Sequence, residues 1–342
     1  MKILGVETSC DECSVAVVED GKRILAQTIA SQIEFHAPYS GVVPEIASRK
    51  HTEWILDVYT RTLEQAGLQP ADIDGIAATN LPGLSGSLVV GLSFSKALAL
   101  SLNVPLVGVN HILAHLYAPH LEYDLDYPFL GLLVSGGHTL IARVHGVDEM
   151  EVIGTTVDDA CGEAFDKVAK LLELGYPGGV VIDRLAAEGT AEAFDFPLSV
   201  VNDGPYAYDV SYSGLKTAVA NQMDKFWNRA YEKTDANIAA SFQKAAIDTV
   251  VVQLLRAVRD TGISTVVVGG GVAANSYLRS RLNSRDDLRA VFPSMELCTD
   301  NGAMIAGLGY HYLAGRGGDE LTIGVSARVR EYRPTRDRRR AR

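Results

Sequence analysis

Two histidines in the stretch NHILAHL, His111 and His115, stand four residues apart. On a helix that spacing puts both imidazoles on one face, where they can ligate one metal ion. Histidines of a core or a helix cap give the same spacing. Ile112 and Leu113 fill the gap, so the glutamate base of an H-E-x-x-H protease is missing. A third ligand has to come from elsewhere, and Asp300 in LCTDNGAM is a candidate. Thr299 or Asp300 ahead of Asn301 and an apolar stretch is also a good helix N-cap. The second concentration of reactive types is Cys10-Asp11-Glu12-Cys13. Its spacing admits a zinc half-site, a redox dithiol, or two unconnected small residues around a pair of acids. A zinc site needs a second pair, which Cys161 and Cys298 cannot be by spacing, and a thioredoxin-type pair opens a helix. This stretch sits instead in a turn between two apolar runs, so the cysteine spacing is read as coincidence. What it encloses, Asp11 and Glu12, is read as a pair of acids at the tip of that turn.

Glycines mark two further places. VVVGGGVAANSYL puts Gly269-Gly270-Gly271 between a buried strand and a helix start, where backbone N–H groups can face a phosphate. Neither G-x-x-x-x-G-K-[ST] nor G-x-G-x-x-G is present there, which removes the P-loop and weakens a dinucleotide reading. Tyr176-Pro177-Gly178-Gly179 starts another helix with Asp183 one turn inside it, and a plain structural turn explains that much. In VDDACGEAFDKVAKLLEL, Asp158, Asp159 and Glu163 suit the positive end of a helix dipole. Asp166 lies past the first turn, where the dipole no longer accounts for it. It can pair with Lys167 or Lys170, or hydrogen-bond a ribose.

The elements that position these residues follow from apolar periodicity. Residues 2–8 and 13–19 read as strands, and Glu19-Asp20-Gly21-Lys22 is a turn into a third strand over 24–29. The pattern returns at Phe129 to Val134, a turn Ser135-Gly-Gly-His-Thr139, and Leu140 to Val144. Two strand, small-polar-turn, strand units of unlike letters suggest a duplicated architecture. Helices are predicted over 47–66, 84–102, 158–174 and 238–260, then a β-branched strand over 264–268 and a helix from about Ala274. Interleaved strands and helices give an α/β class.

The chain has 342 residues, 47% hydrophobic and 7% aromatic, a length that suggests two domains with cores that need no staples. The opening MKILGVETSC holds no secretory apolar region, and Leu88 to Val109 is interrupted by Ser93, Ser95, Lys96, Ser101 and Asn103, so a soluble, cytoplasmic protein with no membrane partner is expected. Four scattered cysteines do not make a disulfide framework. The net charge of −11 argues against a nucleic-acid partner, but residues 328–342 carry eight arginines against Glu331 and Asp337, a local +6. That basic tail could touch RNA phosphates or serve solubility alone.

Ten ordered motifs then carry a resemblance. KALALSLNVPLVGVNHILAHL matches in full the signature once used for bacterial glycoprotease-type proteins. ETSCDE, SGVVPEIASRKH, LLVSGGHT, DDACGEAFDKVAKLL, YPGG, YSGLKT, ASFQKA, GGGVAAN and CTDNGAMIA follow that family's order and spacing. The chain thus resembles the TsaD family, also called Gcp or YgjD, from Met1 to about Ser326. Four positions depart from the family pattern: Cys13 where Thr is usual, Leu81 where Gly opens the Gly-Pro-Gly-Leu turn, Val180 where Pro is usual, and Leu140 where a polar residue follows His138-Thr139. None of these removes a candidate ligand.

The resemblance implies a fold like that of acetate and sugar kinases, Hsp70 and actin, with two RNase H-like lobes around a nucleotide cleft. The expected N-terminal lobe is 1–110 plus 303–326, the C-terminal lobe 111–302, and 327–342 a flexible basic tail. The implied reaction moves a threonylcarbamoyl group from threonylcarbamoyl-adenylate to N6 of the adenosine just 3′ of the anticodon in tRNAs reading ANN codons, releasing AMP. By motif, His111, His115 and Asp300 match the family's metal ligands, for Fe2+ first and Zn2+ second. Leu133, Val134, Ser135, Gly136, Gly137, Asp166, Gly179, Asp183 and Asn275 match its substrate and nucleotide contacts. The N6 amine must lose a proton, and Asp11, Glu12 or His138 can take it, with Asp11 ranked first. A TsaB-like paralogue and a TsaE-like ATPase are the implied partners beside tRNA. The rival readings are a metalloprotease, the family's older label, a non-catalytic scaffold of the same fold, and a small-molecule kinase or Hsp70-like ATPase of that fold, against which the histidine pair counts.

Overall fold

In the computed structural model, which describes residues 1–224 and 230–328, the first apolar run becomes strand β1, Lys2–Glu7, buried from Ile3 onward. The further strands are β2 Glu12–Glu19, β3 Arg23–Ser31, β4 Gly75–Leu81, β5 Leu106–Asn110, β6 Phe129–Val134, β7 Thr139–Val144, β8 Met150–Thr155, β9 Val200–Val201, β10 Asp209–Val210, β11 Thr265–Gly269 and β12 Arg289–Val291. The α-helices are α1 Ile33–His36, α2 Pro44–Ala66, α3 Ser85–Leu102, α4 His111–Tyr117, α5 Cys161–Leu171, α6 Gly178–Ala186, α7 Ser213–Asp224, α8 Asp235–Thr261, α9 Ser276–Asn283, α10 Met295–Cys298 and α11 Gly302–Arg316. They fall into two compact units, one of residues 1–126, 146–149 and 293–328, the other of Tyr127–His145 and Met150–Phe292.

The first unit is built on a sheet of order β3-β2-β1-β4-β5, with β1 antiparallel to β2 and parallel to β4. Alternate residues serve opposite faces, as a strand requires. Leu4, Val6, Val15, Val17, Ile76 and Ala78 pack under α2 and α3. Ile3, Ala16, Val18, Ala77 and Val109 pack under α4 and α11. The second face is shallow because α11 lies almost on the strands: a Cβ on Gly302 would stand 2.6 Å from the Ala16 nitrogen. Only glycine permits that approach. The expected lobe boundary after residue 110 therefore moves to 126, and the return at 303 moves to 293. Strand β5 runs directly into α4, α4 packs against α11, and both share the core of the first sheet.

The second unit repeats the order. Its main sheet is β12-β11-β6-β7-β8, which from β8 is again hairpin, hairpin, then two parallel strands. The strand-turn-strand repeat in the sequence is thus a repeat of topology. Helix α8 is the longest, with Ile238, Phe242, Ile247, Val250 and Leu254 buried along it. Both α3 and α8 are long and apolar enough, by length and composition, to cross a membrane, which the polar interruptions of Leu88 to Val109 had argued against. In the fold, 83% of the apolar window of α8 is buried and 33% of that of α3.

Helix α2 begins at Pro44 rather than 47, α3 at Ser85 rather than 84 and α8 at Asp235 rather than 238, and two further starts differ for a visible local reason. The helix expected from Asp158 begins at Cys161, because Asp158 is drawn away to accept hydrogen bonds from Tyr212 N at 2.7 Å and Ser211 Oγ at 2.5 Å. The helix expected from Ala274 begins at Ser276, since Gly271–Ala274 winds into a 3-10 turn and Asn275 caps α9. The arginine-rich tail from residue 329 lies outside the described residues.

Candidate metal centre

Helix α4 starts where β5 ends, and Asn110 caps it by accepting from Ile112 N and Leu113 N. This places His111 at the first helical position and His115 one turn on, with ring centroids 4.5 Å apart. Asp300 arrives from the opposite end of the chain, just before α11. Its Oδ1 is 2.9 Å from His115 Nε2 and 3.5 Å from His111 Nε2. One ligand atom from each of the three lies within 4.8 Å of the others. The competing role for Asp300, helix capping, is filled by its neighbour: Asn301 Oδ1 accepts from Met304 N at 2.9 Å. Asp300 keeps its carboxylate for the histidines.

Behind His111 stands Glu7, the last residue of β1, fully buried. Its Oε2 is 3.0 Å from His111 Nδ1 and accepts from Thr79 Oγ1 at 2.6 Å, while Oε1 accepts from Ser9 N at 2.5 Å. Ser9 Oγ is also 3.2 Å from His111 Nδ1. The Leu81-Pro82-Gly83-Leu84 turn holds this segment, with Leu84 N donating to Ser9 O at 2.8 Å. Burial alone would lower the pKa of His111, but the carboxylates of Asp300 and Glu7 outweigh it and raise it to about 9. Burial and the neighbouring His111 cation lower His115. Burial, with Asp11 and Asp300 close by, pushes the Glu12 carboxyl well above the usual carboxylate range. Asp11 is buried beside it, and its carbonyl accepts from Gln32 N at 3.1 Å. Cys10 lies in the turn and Cys13 is buried in β2, where burial and Glu7 raise its thiol to about 12. Such a thiol is a packing residue rather than a redox nucleophile.

The remaining sequence-predicted residues lie in the second unit. Leu133 and Val134 are fully buried in β6. Ser135 to His138 is the β6–β7 turn, closed by Ser135 N to His138 O at 2.8 Å and His138 N to Ser135 Oγ at 3.0 Å. The first turn of α5 holds it, with Gly162 N donating to Ser135 O at 3.1 Å. Gly136, Gly137 and Gly179 have open space where a Cβ would stand. Asp166 Oδ1 accepts from Gly178 N at 2.7 Å at the start of α6, and Lys167 pairs with Asp159 and Glu163 at 2.6 and 2.9 Å. Asp183 accepts from Ser276 Oγ at 2.7 Å and Asn275 Nδ2 at 3.1 Å, and Asn275 also donates to Gln243 Oε1 at 2.8 Å. His111, His115 and Asp300 are thus brought together in the first unit, which also holds Asp11 and Glu12, and the glycine turns, Asp166, Asp183 and Asn275 belong to the second.

A sequence-family model described as TsaD, tRNA N6-adenosine threonylcarbamoyltransferase, matches residues 23–307. The tRNA N6-adenosine threonylcarbamoyltransferase of Treponema denticola is 59% identical over 97% of this chain and 98% of its own length. The chain belongs to the TsaD family. The proteins of the same description from Treponema pallidum and Brachyspira hyodysenteriae are 55% and 51% identical, over 96% and 91% of this chain and 93% and 91% of theirs. Among solved structures, full-length HypF in its phosphate- and nucleotide-bound form aligns with a TM-score of 0.65 at 15% identity, over 93% of this chain and 47% of that one. Component A of the (R)-2-hydroxyglutaryl-CoA dehydratase of Acidaminococcus fermentans aligns at 0.54 and 16%, over 92% and 99%. These two bear on the fold alone, which is of the two-lobed actin, Hsp70 and sugar-kinase type.

The TsaD triad suits a divalent metal by its donor set. Two imidazoles and one carboxylate leave positions open on such an ion. Glu7 and Asp300 also set two carboxylates against the histidine pair, negative charge that a cation would balance. Sequence reasoning missed Glu7, Ser9 and Thr79. One signal did exist: Glu7 follows the apolar run Ile3 to Val6 within one buried strand, where an acid is out of pattern. The departures from the TsaD pattern are accommodated. Cys13 and Leu140 are buried in strands, Val180 is exposed on α6, and Leu81 sits at a register irregularity between β4 and β5.

Proposed function

We propose that this chain transfers the threonylcarbamoyl group of threonylcarbamoyl-adenylate to N6 of the adenosine 3′ of the anticodon in tRNAs reading ANN codons. The observation that carries the reading is the converging His111, His115 and Asp300 in a chain this similar to named tRNA N6-adenosine threonylcarbamoyltransferases. The N6 nitrogen forms a bond to the carbamoyl carbon, the carbon–oxygen bond to the adenylate phosphate breaks, and AMP departs. An acyl-adenylate carries a good leaving group, so the protein chiefly positions the two substrates and stabilises charge.

His111, His115 and Asp300 would hold the metal, Fe2+ in first place and Zn2+ in second, which when bound supplies a Lewis acid toward the transferred carbonyl. The proton lost by N6 goes to Asp11 in this reading. Glu12, whose carboxyl burial and Asp11 push upward, is the second candidate. His138 is the third acid–base candidate. Leu133 and Val134 would act through backbone, Ser135 to Gly137 through the N–H groups of an open turn, and Gly179, Asp166, Asp183 and Asn275 as adenylate contacts. A TsaB-like paralogue, a TsaE-like ATPase and a cytoplasmic location complete the proposal, with no membrane partner. The protease reading is not favoured, because Glu7, the glutamate in contact with the triad, faces the back of His111.

Nucleoside analysis of tRNA tests the proposal. Cells depleted of the protein should lose N6-threonylcarbamoyladenosine and regain it with the unaltered chain, but not with His111→Ala. Normal modification in depleted cells would sink the assignment.

A further inference from the structure

Glu7 is used by neither the metal triad nor the proton transfer, yet it is a fully buried carboxylate at the triad's edge. It is held from three directions. Thr79 Oγ1 and His111 Nδ1 meet Oε2 at 2.6 and 3.0 Å, and Ser9 N meets Oε1 at 2.5 Å. These donors come from β4, α4 and the β1–β2 turn, so the carboxylate cannot rotate without breaking one of them. An ionised carboxylate only accepts, so the imidazole nitrogen that faces it must carry the hydrogen. That nitrogen is Nδ1, so Nε2 of the same ring, on the side of Asp300 and His115, is the nitrogen that must give up its proton to a metal. His115 differs: among the described residues its Nδ1 is buried with no hydrogen-bond partner.

We propose that Glu7 is a positioning residue that locks His111 in the Nδ1–H tautomer, aims its Nε2 at the metal, and makes His111 the stronger of the two imidazole ligands. This rests on the metal-centre reading above. A carboxylate behind a ligating histidine raises its basicity and fixes its ring, and loss of such a partner typically lowers metal affinity about 10–100-fold. Loss of a carboxylate that served only to tie β1 to α4 would lower stability and leave metal affinity of the folded chain unchanged.

Two measurements test it. The unaltered full chain, labelled with 15N-histidine and loaded with 113Cd2+, should show cadmium coupling at His111 Nε2 and a proton on Nδ1; coupling at Nδ1 overturns the proposal. Zn2+ affinity by chelator competition should fall about 10–100-fold in Glu7→Gln, and His111→Ala should lose more affinity than His115→Ala. Equal Zn2+ affinity for Glu7→Gln and the unaltered chain would overturn the proposal alone. An unaltered chain that binds neither ion would overturn the metal-centre reading and this inference with it. The cadmium measurement needs no variant, so a Glu7→Gln chain that fails to fold does not decide the matter.

Discussion

A proton and a metal ion compete for the same nitrogen of His111. In the metal-free chain Asp300 and Glu7 overcome the effect of burial and hold that imidazole near a pKa of about 9, above its ordinary 6.5. A raised histidine stabilises the fold fully below pH 6.5, and the contribution is lost as pH climbs through 9. The melting temperature of chelator-treated protein should therefore fall across that window, and the metal-loaded protein should fall less. Metal binding must displace this proton, so apparent Zn2+ affinity should strengthen with pH up to about 9. Competition titrations at several pH values check the slope, and a flat profile would remove the proton from the account. At this scale the sequence was legible wherever spacing is local. His111 and His115 declare themselves by one helical turn. Asp300 could be suspected but not separated from a cap, because an Asp-Asn pair before a helix supports both roles until the side chains are placed. Glu7 was invisible as a partner of His111, since nothing in a strand's last residue says that it will face the back of an imidazole 104 positions away.

Helix α11 and strand β1 set the geometry of the centre more than any loop does. Asn301 caps α11 while its neighbour Asp300 reaches the histidines, so the cap fixes where the ligand begins. Asn301→Ala should cost about 1 kcal/mol of stability, with Zn2+ affinity falling as well because Asp300 loses its fixed start. Gly302→Ala should be worse. The added methyl would stand 2.6 and 2.8 Å from the Ala16 nitrogen and the Val15 carbonyl carbon, backbone atoms that cannot step aside, and overpacking of this kind typically costs about 1–3 kcal/mol. Urea denaturation of both variants, with and without metal, checks the order. Element cores were readable from apolar period alone, and the strand and helix interiors lie where the periodicity puts them. The ends were less so. Asp158 looks like a first-turn acid but is claimed by Tyr212 and Ser211, more than fifty residues on, and a long-range claim of that kind leaves no local trace.

The two five-stranded sheets use one order, hairpin, hairpin, parallel, parallel, although their letters differ. Apolar alternation fixes such an order without fixing which apolar residue is used, which is why the duplication showed as pattern and not as identity. The domain limits were harder, because 111–126 and 293–302 pack with a sheet that begins at residue 2. The arginine-rich end is a matter of charge alone: if it meets tRNA, deleting 329–342 should flatten the plot of log affinity against log salt by about 0.9 for each duplex phosphate it had neutralised. An unchanged slope would leave it a solubility device. The discontinuity of the first unit has its own consequence. Translation delivers Glu7 and Ser9 first, the histidines after a hundred residues, and Asp300 only near the end, so β1 to β5 leave the ribosome with the α11 face bare. A chain stopped before Asp300 lacks the third of the groups that could hold an ion. Capture of a cation by the triad then has to wait for the segment that carries Asp300, however early the first sheet forms.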